Sequence, residues 1–215
     1  MHVYATDAKD RQTAPMILGI LSVGAAFLLH TIWPQPPWWL DAPSVMTFYG
    51  FLYLLYDRYL WRFKFLVSLS EIPNLNGTWS GEIRSSYQGK TVPIVLHVQQ
   101  TWSRISIHVE AGTSRSHSTM AALYTESSSE SGLKYEYLNE PDTFAPEDMH
   151  QHRGVARLRV LPDRKSLDGD YFTGRDRLTY GSMKLHYVSR KLLGYQETQK
   201  RDSQDKGRSE ESEKS

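Results

Sequence analysis

The 215-residue sequence predicts a mostly β domain, an antiparallel sandwich or barrel, behind an N-terminal pair of membrane-spanning helices. Three observations predict it. Residues 14–33 form an apolar run without Asp, Glu, Lys or Arg, and a second, aromatic-rich run covers 44–56. From Leu75 onward these runs give way to short alternating stretches broken by Gly, Ser, Asn and Asp about every ten residues, the signature of strands and turns. No pattern of helical period separates those stretches.

Residues 1–13 are short and polar and read as a frayed cytoplasmic N-terminal segment. The run from Ala14 to Trp33, at 1.5 Å per residue, is long enough for a hydrocarbon core of about 30 Å. The second run is shorter, and Trp38, Trp39, Tyr59 and Trp61 are placed to complete its crossing at the two interfaces. Between them Pro34, Pro36, Pro37 and Pro43 forbid a continuous helix. Lys9 and Arg11 precede the first run, Arg58, Arg62 and Lys64 follow the second, and the connecting turn carries no basic residue, so both ends are expected to face the cytoplasm. Residues 14–70 are thus two transmembrane helices and a juxtamembrane stalk, ended by Pro73. Residues 73–194 form the β domain, with strands expected at 77–85, 91–100, 104–111, 116–125, 133–138, 154–161, 166–173 and 182–190. Residues 195–215, charged and nearly free of apolar side chains, read as a disordered polar tail.

Charge and composition narrow the function. A net charge of +1 leaves no basic footprint for a nucleic-acid polymer, and the lack of cysteine excludes a disulfide framework or a thiolate nucleophile. There is no phosphate loop, zinc helix or nucleophile elbow. His150 and His152 alternate but find no third ligand and read as loop histidines. No catalytic residue, metal or cofactor is expected, and the protein is not expected to be an enzyme.

Strand alternation assigns one parity to the interior. Ile94, Leu96, Val98, Ile105, Ile107 and Val109 are ordinary core. Four other sets turn from apolar to polar toward one end: Leu133, Tyr135, Tyr137 and Asn139; Ser118, Ser116 and Ser114; Val160, Leu158, Ala156, Gly154 and His152; and Leu167, Gly169, Tyr171 and Thr173. If those ends coincide, they form a mouth of hydroxyls, an amide, an imidazole and tyrosine rings, with Arg104, Arg115, Arg153, Arg175 and Arg177 near its loops. Rings stack bases and guanidinium forks grip phosphates, so such a mouth suits a small, planar, anionic ligand. The candidate ligand residues are Arg104, Ser114, Arg115, Ser116, Tyr135, Tyr137, Asn139, His152, Arg153, Tyr171, Thr173 and Arg175.

Several segments carry a resemblance: Leu75-Asn-Gly-Thr-Trp79-Ser-Gly81, Val98-Gln-Gln-Thr-Trp102, Ser114-Arg-Ser116-His-Ser118, Leu133 to Pro141, His152-Arg-Gly154, and Leu167-Asp-Gly169-Asp-Tyr171 leading to Tyr180-Gly181. In this order after a helical hairpin, they resemble the two-transmembrane, β-strand-rich effectors of bacterial CBASS antiphage defence. The resemblance implies a compact eight-stranded antiparallel β-barrel that binds a cyclic dinucleotide made by a partner nucleotidyltransferase. It further implies homo-oligomerisation of the hairpins and disruption of the inner membrane. Three other readings stand beside this: an effector that the nucleotide holds inactive, a membrane-tethered, lipocalin-like carrier of lipid or fatty acid, and a scaffold whose barrel binds another protein.

Overall fold

The computed structural model describes residues 1–34, 37, 44–63, 71–125, 131–145, 149–175 and 177–213. The chain divides into two units. The proline-rich turn and most of the stalk, 38–43 and 64–70, lie outside the described residues.

One unit comprises residues 6–72 with 101–103. Its helices are α1 (Asp10–Ile32) and α2 (Ser44–Arg58), followed by a single 3-10 turn at Leu60–Arg62. Asp10, Ala14, Leu18, Ser22 and Ala26 recur every fourth residue and are the buried stripe of α1. Four of the five are small or short, which lets helices approach closely. The large apolar side chains point outward instead: Met16, Ile20, Phe27 and Ile32 on α1, and Met46, Phe51 and Leu54 on α2, are all exposed. A water-soluble helix pair would bury that face. Of the described helices only α1, with 23 residues, is long and apolar enough to cross a membrane by itself. The 15 residues of α2 cover about 22 Å, so the expected two-helix crossing is not established by the second helix alone. Within this unit the Trp102 indole N–H donates to the Asp10 carboxylate at 3.0 Å, and Tyr56 meets the Trp102 ring edge-on at 5.3 Å.

The other unit is a closed barrel. Its strands are β3 (Gly77–Ser85), β4 (Thr91–Gln100), β5 (Arg104–Ala111), β6 (Ser114–Tyr124), β7 (Gly132–Pro141), β8 (His152–Val160), β9 (Ser166–Thr173) and β10 (Tyr180–Ser189). Each pairs antiparallel with the next, and the first and last strands, β3 and β10, pair along almost their whole length. The choice between sandwich and barrel is settled by that pairing. Gly81 permits it, because a Cβ there would run into the Lys184 carbonyl on β10. Two tight turns need left-handed backbone, at Gly89 (φ 62°) between β3 and β4 and at Gly112 (φ 50°) between β5 and β6. The inward parity is the expected one: Ile94, Leu96, Ile105, Ile107, Leu133, Leu158 and Leu167 are fully buried and pack one end solid.

Two terminal segments depart from expectation. Residues read as a frayed N-terminus form β1 (His2–Val3) and β2 (Ala5–Thr6), which flank β5 and β6 respectively. Residues read as a disordered tail form α3 (Tyr195–Glu213). The chain ahead of α3 is strapped to the outside of the barrel by the Thr78 hydroxyl, which donates to the Lys191 carbonyl at 2.8 Å and accepts the Leu193 N–H at 3.0 Å. Leu193 and Thr198 are buried there, and Asp202 meets the His186 ring at 2.7 Å. Apolar periodicity cannot find such a helix because its anchors are polar.

The same Thr78 hydroxyl lies 3.2 Å from His97 Nδ1. Burial holds the His97 imidazole below its usual value; Glu110 opposes this and His108 adds to it. His108 is also lowered, chiefly by burial and then by His117. Both rings therefore take up protons more readily in the unfolded chain, so stability is complete above the ordinary histidine value of about 6.5 and declines as pH falls below it. The thermal midpoint is expected to drop between pH 7.5 and 5.5, and to drop less in His97→Gln; an equal drop in both would remove His97 from this account.

Candidate functional site

The barrel is packed at one end and hollow at the other. A cavity of about 420 Å³ opens where β5 and β6 turn and where β3 meets β4, a size within the range of about 300–1,000 Å³ usual for small-molecule sites. Its apolar floor comes from Ile83, Val92, Val109 and Met183, its walls from Tyr135, Tyr137 and Tyr171, and its rim from hydroxyls, amides and two cations, Lys90 and Arg177.

Glycines across the ladder hold the tyrosine rings flat to the wall. Tyr137 pairs with Gly154 and Tyr171 with Gly181, and a Cβ on either glycine would strike the facing ring. Tyr135 is fully enclosed and Tyr137 largely so, and burial raises both phenols further above the range in which they ionise, with Arg177 opposing in part for Tyr137. At neutral pH each keeps its O–H as a donor.

Hydrogen bonding separates the structural polar groups from the available ones. The Thr173 and Thr179 side chains bond each other at 3.1 Å and close the β9–β10 loop. The Ser118 hydroxyl accepts the Ile107 N–H. By contrast, the side chains of Ser114, Ser116, Asn139, Tyr137 and Tyr171 line the cavity and make no hydrogen bond to another described residue. Asn139 and both tyrosines are each only 9% exposed, and buried polar groups ordinarily find partners. Arg177 goes further: its Nη1 is buried and unbonded. The guanidinium sits 5.6 Å above the Tyr87 ring, and Lys90 lies 6.0 Å from the same ring. The loop turns Arg177 inward, since the backbone N–H groups of both Arg177 and Leu178 bond the Gly174 carbonyl and Leu178 adopts φ 51°. No carboxylate lines the cavity among the described residues. The site is cationic at its rim, aromatic on its walls, and able to take an anion with flat groups attached.

Eight of the twelve candidate ligand residues line this cavity: Ser114, Ser116, Tyr135, Tyr137, Asn139, His152, Tyr171 and Thr173. The four arginines do not. Arg115 and Arg153 alternate with inward residues and so point outward, 4.0 Å from Asp142 and Glu136 respectively. Arg104 starts β5 beside Val3, at the packed end. Arg175 is exposed in the β9–β10 loop. Their place is taken by Arg177, two residues further on, and by Lys90, Tyr87 and Gln88 of the β3–β4 loop. Loop residues carry no alternation; the only sequence signal was the density of basic residues near Gly174.

Residues 70–187 match the family model described as Cap15, cyclic dinucleotide receptor domain, and residues 12–62 match that described as Cap15, TM helices. Among curated relatives, CD-NTase-associated protein 15 of Yersinia aleksiciae is 36% identical over 136 residues, covering 62% of this chain and 64% of its own length. Proteins of the same name from Escherichia albertii and Staphylococcus schleiferi are 28% and 26% identical, covering 58% and 74% of this chain and 66% and 87% of their own lengths. The chain thus spans just under two thirds of the first two relatives.

Proposed function

The chain belongs to the Cap15 family of CBASS effectors, with a transmembrane region and a cyclic dinucleotide receptor domain, and from that membership we propose that the barrel cavity is the nucleotide site and controls the helices. A cyclic dinucleotide made by a cognate nucleotidyltransferase enters the tyrosine-walled hollow. Its bases stack on the rings and meet the Asn139 amide and the serine hydroxyls, and a phosphodiester reaches Arg177 and Lys90. Occupancy favours association of the helices of several copies, and the assembled helices disrupt the inner membrane of the infected cell. Both chain ends and the barrel face the cytoplasm. No catalytic step is part of this reading.

The observation that carries the reading is the convergence of unengaged donors and acceptors, together with a buried, unbonded guanidinium nitrogen, on one cavity. A lipid carrier has no use for that set, since each polar group left unpaired against hydrocarbon costs free energy. Membrane attachment helps the response, because confining copies to a surface raises their effective concentration. Ligand can shift the equilibrium only through tighter binding to the assembled form.

Calorimetry of the full chain in detergent micelles, titrated with cyclic di-AMP, cyclic di-GMP, cyclic di-UMP and cyclic GMP-AMP, tests the site. One of them is expected to bind with Kd of about 1 μM or tighter, and the same nucleotide is expected to release dye from liposomes carrying the protein. Binding of none of the four, with a fatty acid recovered from the purified protein, would replace this reading with the carrier.

A further inference from the structure

The ring of the barrel has one short rung. β5 and β6 are joined by four residue pairs only, from His108–His117 to Ala111–Ser114, all at the cavity end. Below them the strands part. Ile105 and Arg104 pair instead with His2 and Val3 of β1, while β6 continues through a bulge between Ser118 and Met120 with β2 as its outer neighbour. The N-terminal residues therefore fill the seam between β5 and β6, with Tyr4, 3% exposed, buried between the two short strands. Ser118 sits at the fork: its hydroxyl oxygen accepts the Ile107 N–H at 3.0 Å and lies 2.8 Å from His2 Nε2. Nδ1 of His2 is 3.2 Å from the Val3 carbonyl, so a ring that donates there presents Nε2 as acceptor for the Ser118 O–H.

We propose that residues 2–5 are a displaceable strand, and that ligand in the cavity and this strand compete for the β5–β6 seam. The inference rests on the nucleotide reading of the cavity and assigns its regulation. The four pairs of the short rung include Val109 and Ala111 on one strand and Ser114 and Ser116 on the other, and all four residues line the cavity. A ligand gripping both strands draws them together. Extending the ladder past His108–His117 needs the Ile107 N–H, which the Ser118 hydroxyl beside His2 now holds, and the backbone of Ile105, which β1 now pairs. Strands of two residues belong to the least stable parts of a fold and are the first to open. The displaced residues precede α1 in the chain by only a few positions.

The chain has no cysteine, which permits a direct test. Val3 and Arg104 are register partners, at a Cα separation of about 4.5–5.5 Å that a disulfide can bridge. The full chain with Val3→Cys and Arg104→Cys is placed in liposomes, and the rate of cross-linking is measured with and without whichever of the four cyclic dinucleotides binds by calorimetry. Bound nucleotide is expected to slow cross-linking by about tenfold or more, and the oxidised protein to bind about tenfold more weakly than the reduced one, with reductant restoring it; both lie in the range of couplings between linked sites. An unchanged cross-linking rate with nucleotide demonstrably bound would overturn the displaceable strand and leave the cavity reading intact. Absence of binding in the reduced protein would overturn both. A second variant lacking residues 2–5 is expected to bind the same nucleotide about tenfold more tightly; equal affinity would also count against the proposal.

Discussion

Replacing Arg177 with alanine is expected to weaken cyclic dinucleotide binding by about 10-fold to 150-fold, the range for a lost hydrogen bond to a charged group. The expectation follows from one atom. Nη1 of Arg177 is buried with no protein partner, so that donor carries an unmet desolvation cost that a phosphodiester oxygen at the rim would relieve. Arg177→Lys keeps the charge without the planar fork and is expected to recover only part of the loss. Arg115→Ala and Arg153→Ala are the internal controls: both side chains are more than two thirds exposed, with ion pairs of 4.0 Å, and exposed pairs contribute little. Their affinities are expected to match the parent. Calorimetry on the four variants decides the matter, and an Arg177→Ala protein that binds as the parent does would remove the rim cation from the site. Thermal melting of the same variants separates binding from folding, because deleting an unsatisfied buried donor is expected to leave the midpoint unchanged or slightly raised.

The contrast between Arg177 and its neighbours also measures what could be read without coordinates. Alternation is a local property, and it located all eight barrel strands and brought Tyr137, Asn139, Tyr171 and Thr173 to one cavity. The same rule speaks against Arg115 and Arg153, since each stands between two inward residues. Arg177 lies in a loop whose shape depends on the Thr173–Thr179 hydroxyl pair and on a left-handed Leu178, and no periodic signal reports such a shape. Non-local pairings were equally hidden. Neither the β3–β10 ladder that closes the ring nor the insertion of His2 and Val3 beside β5 leaves a trace in hydropathy, because both are decided by backbone groups that every residue possesses. The helix after Tyr195 escaped for a related reason: it is held by Thr198 and Asp202 and not by an apolar stripe. The cavity's position is legible in retrospect from composition along each strand, with leucines and isoleucines at one end and tyrosines, serines and an asparagine at the other.

Replacing Trp79 with alanine is expected to lower stability by about 3–5 kcal/mol, the usual range for deleting a buried tryptophan. Trp79 is 1% exposed at the packed end, its indole N–H donates to the Leu75 carbonyl at 3.0 Å, and the Tyr187 ring meets it edge-on at 5.2 Å. Leu75 is itself 2% exposed, and its N–H is taken by the buried Gln100 side chain, which also holds the Pro73 carbonyl through its amide. Truncation therefore opens a void and also loosens the segment that leads into the first barrel strand. Against a typical domain stability of about 5–15 kcal/mol the loss is a large fraction, and urea denaturation of the barrel is expected to show a correspondingly lower midpoint with an unchanged slope. Trp79 pairs with Leu96 and Tyr187 and is not among the residues that line the cavity. The molecules that remain folded are therefore expected to bind nucleotide with parental affinity, the reverse of the Arg177 pattern. A Trp79→Ala protein that melts normally, or one that melts lower and whose folded molecules fail to bind, would show that the two ends of the barrel are not divided into support and reception in the way the packing implies.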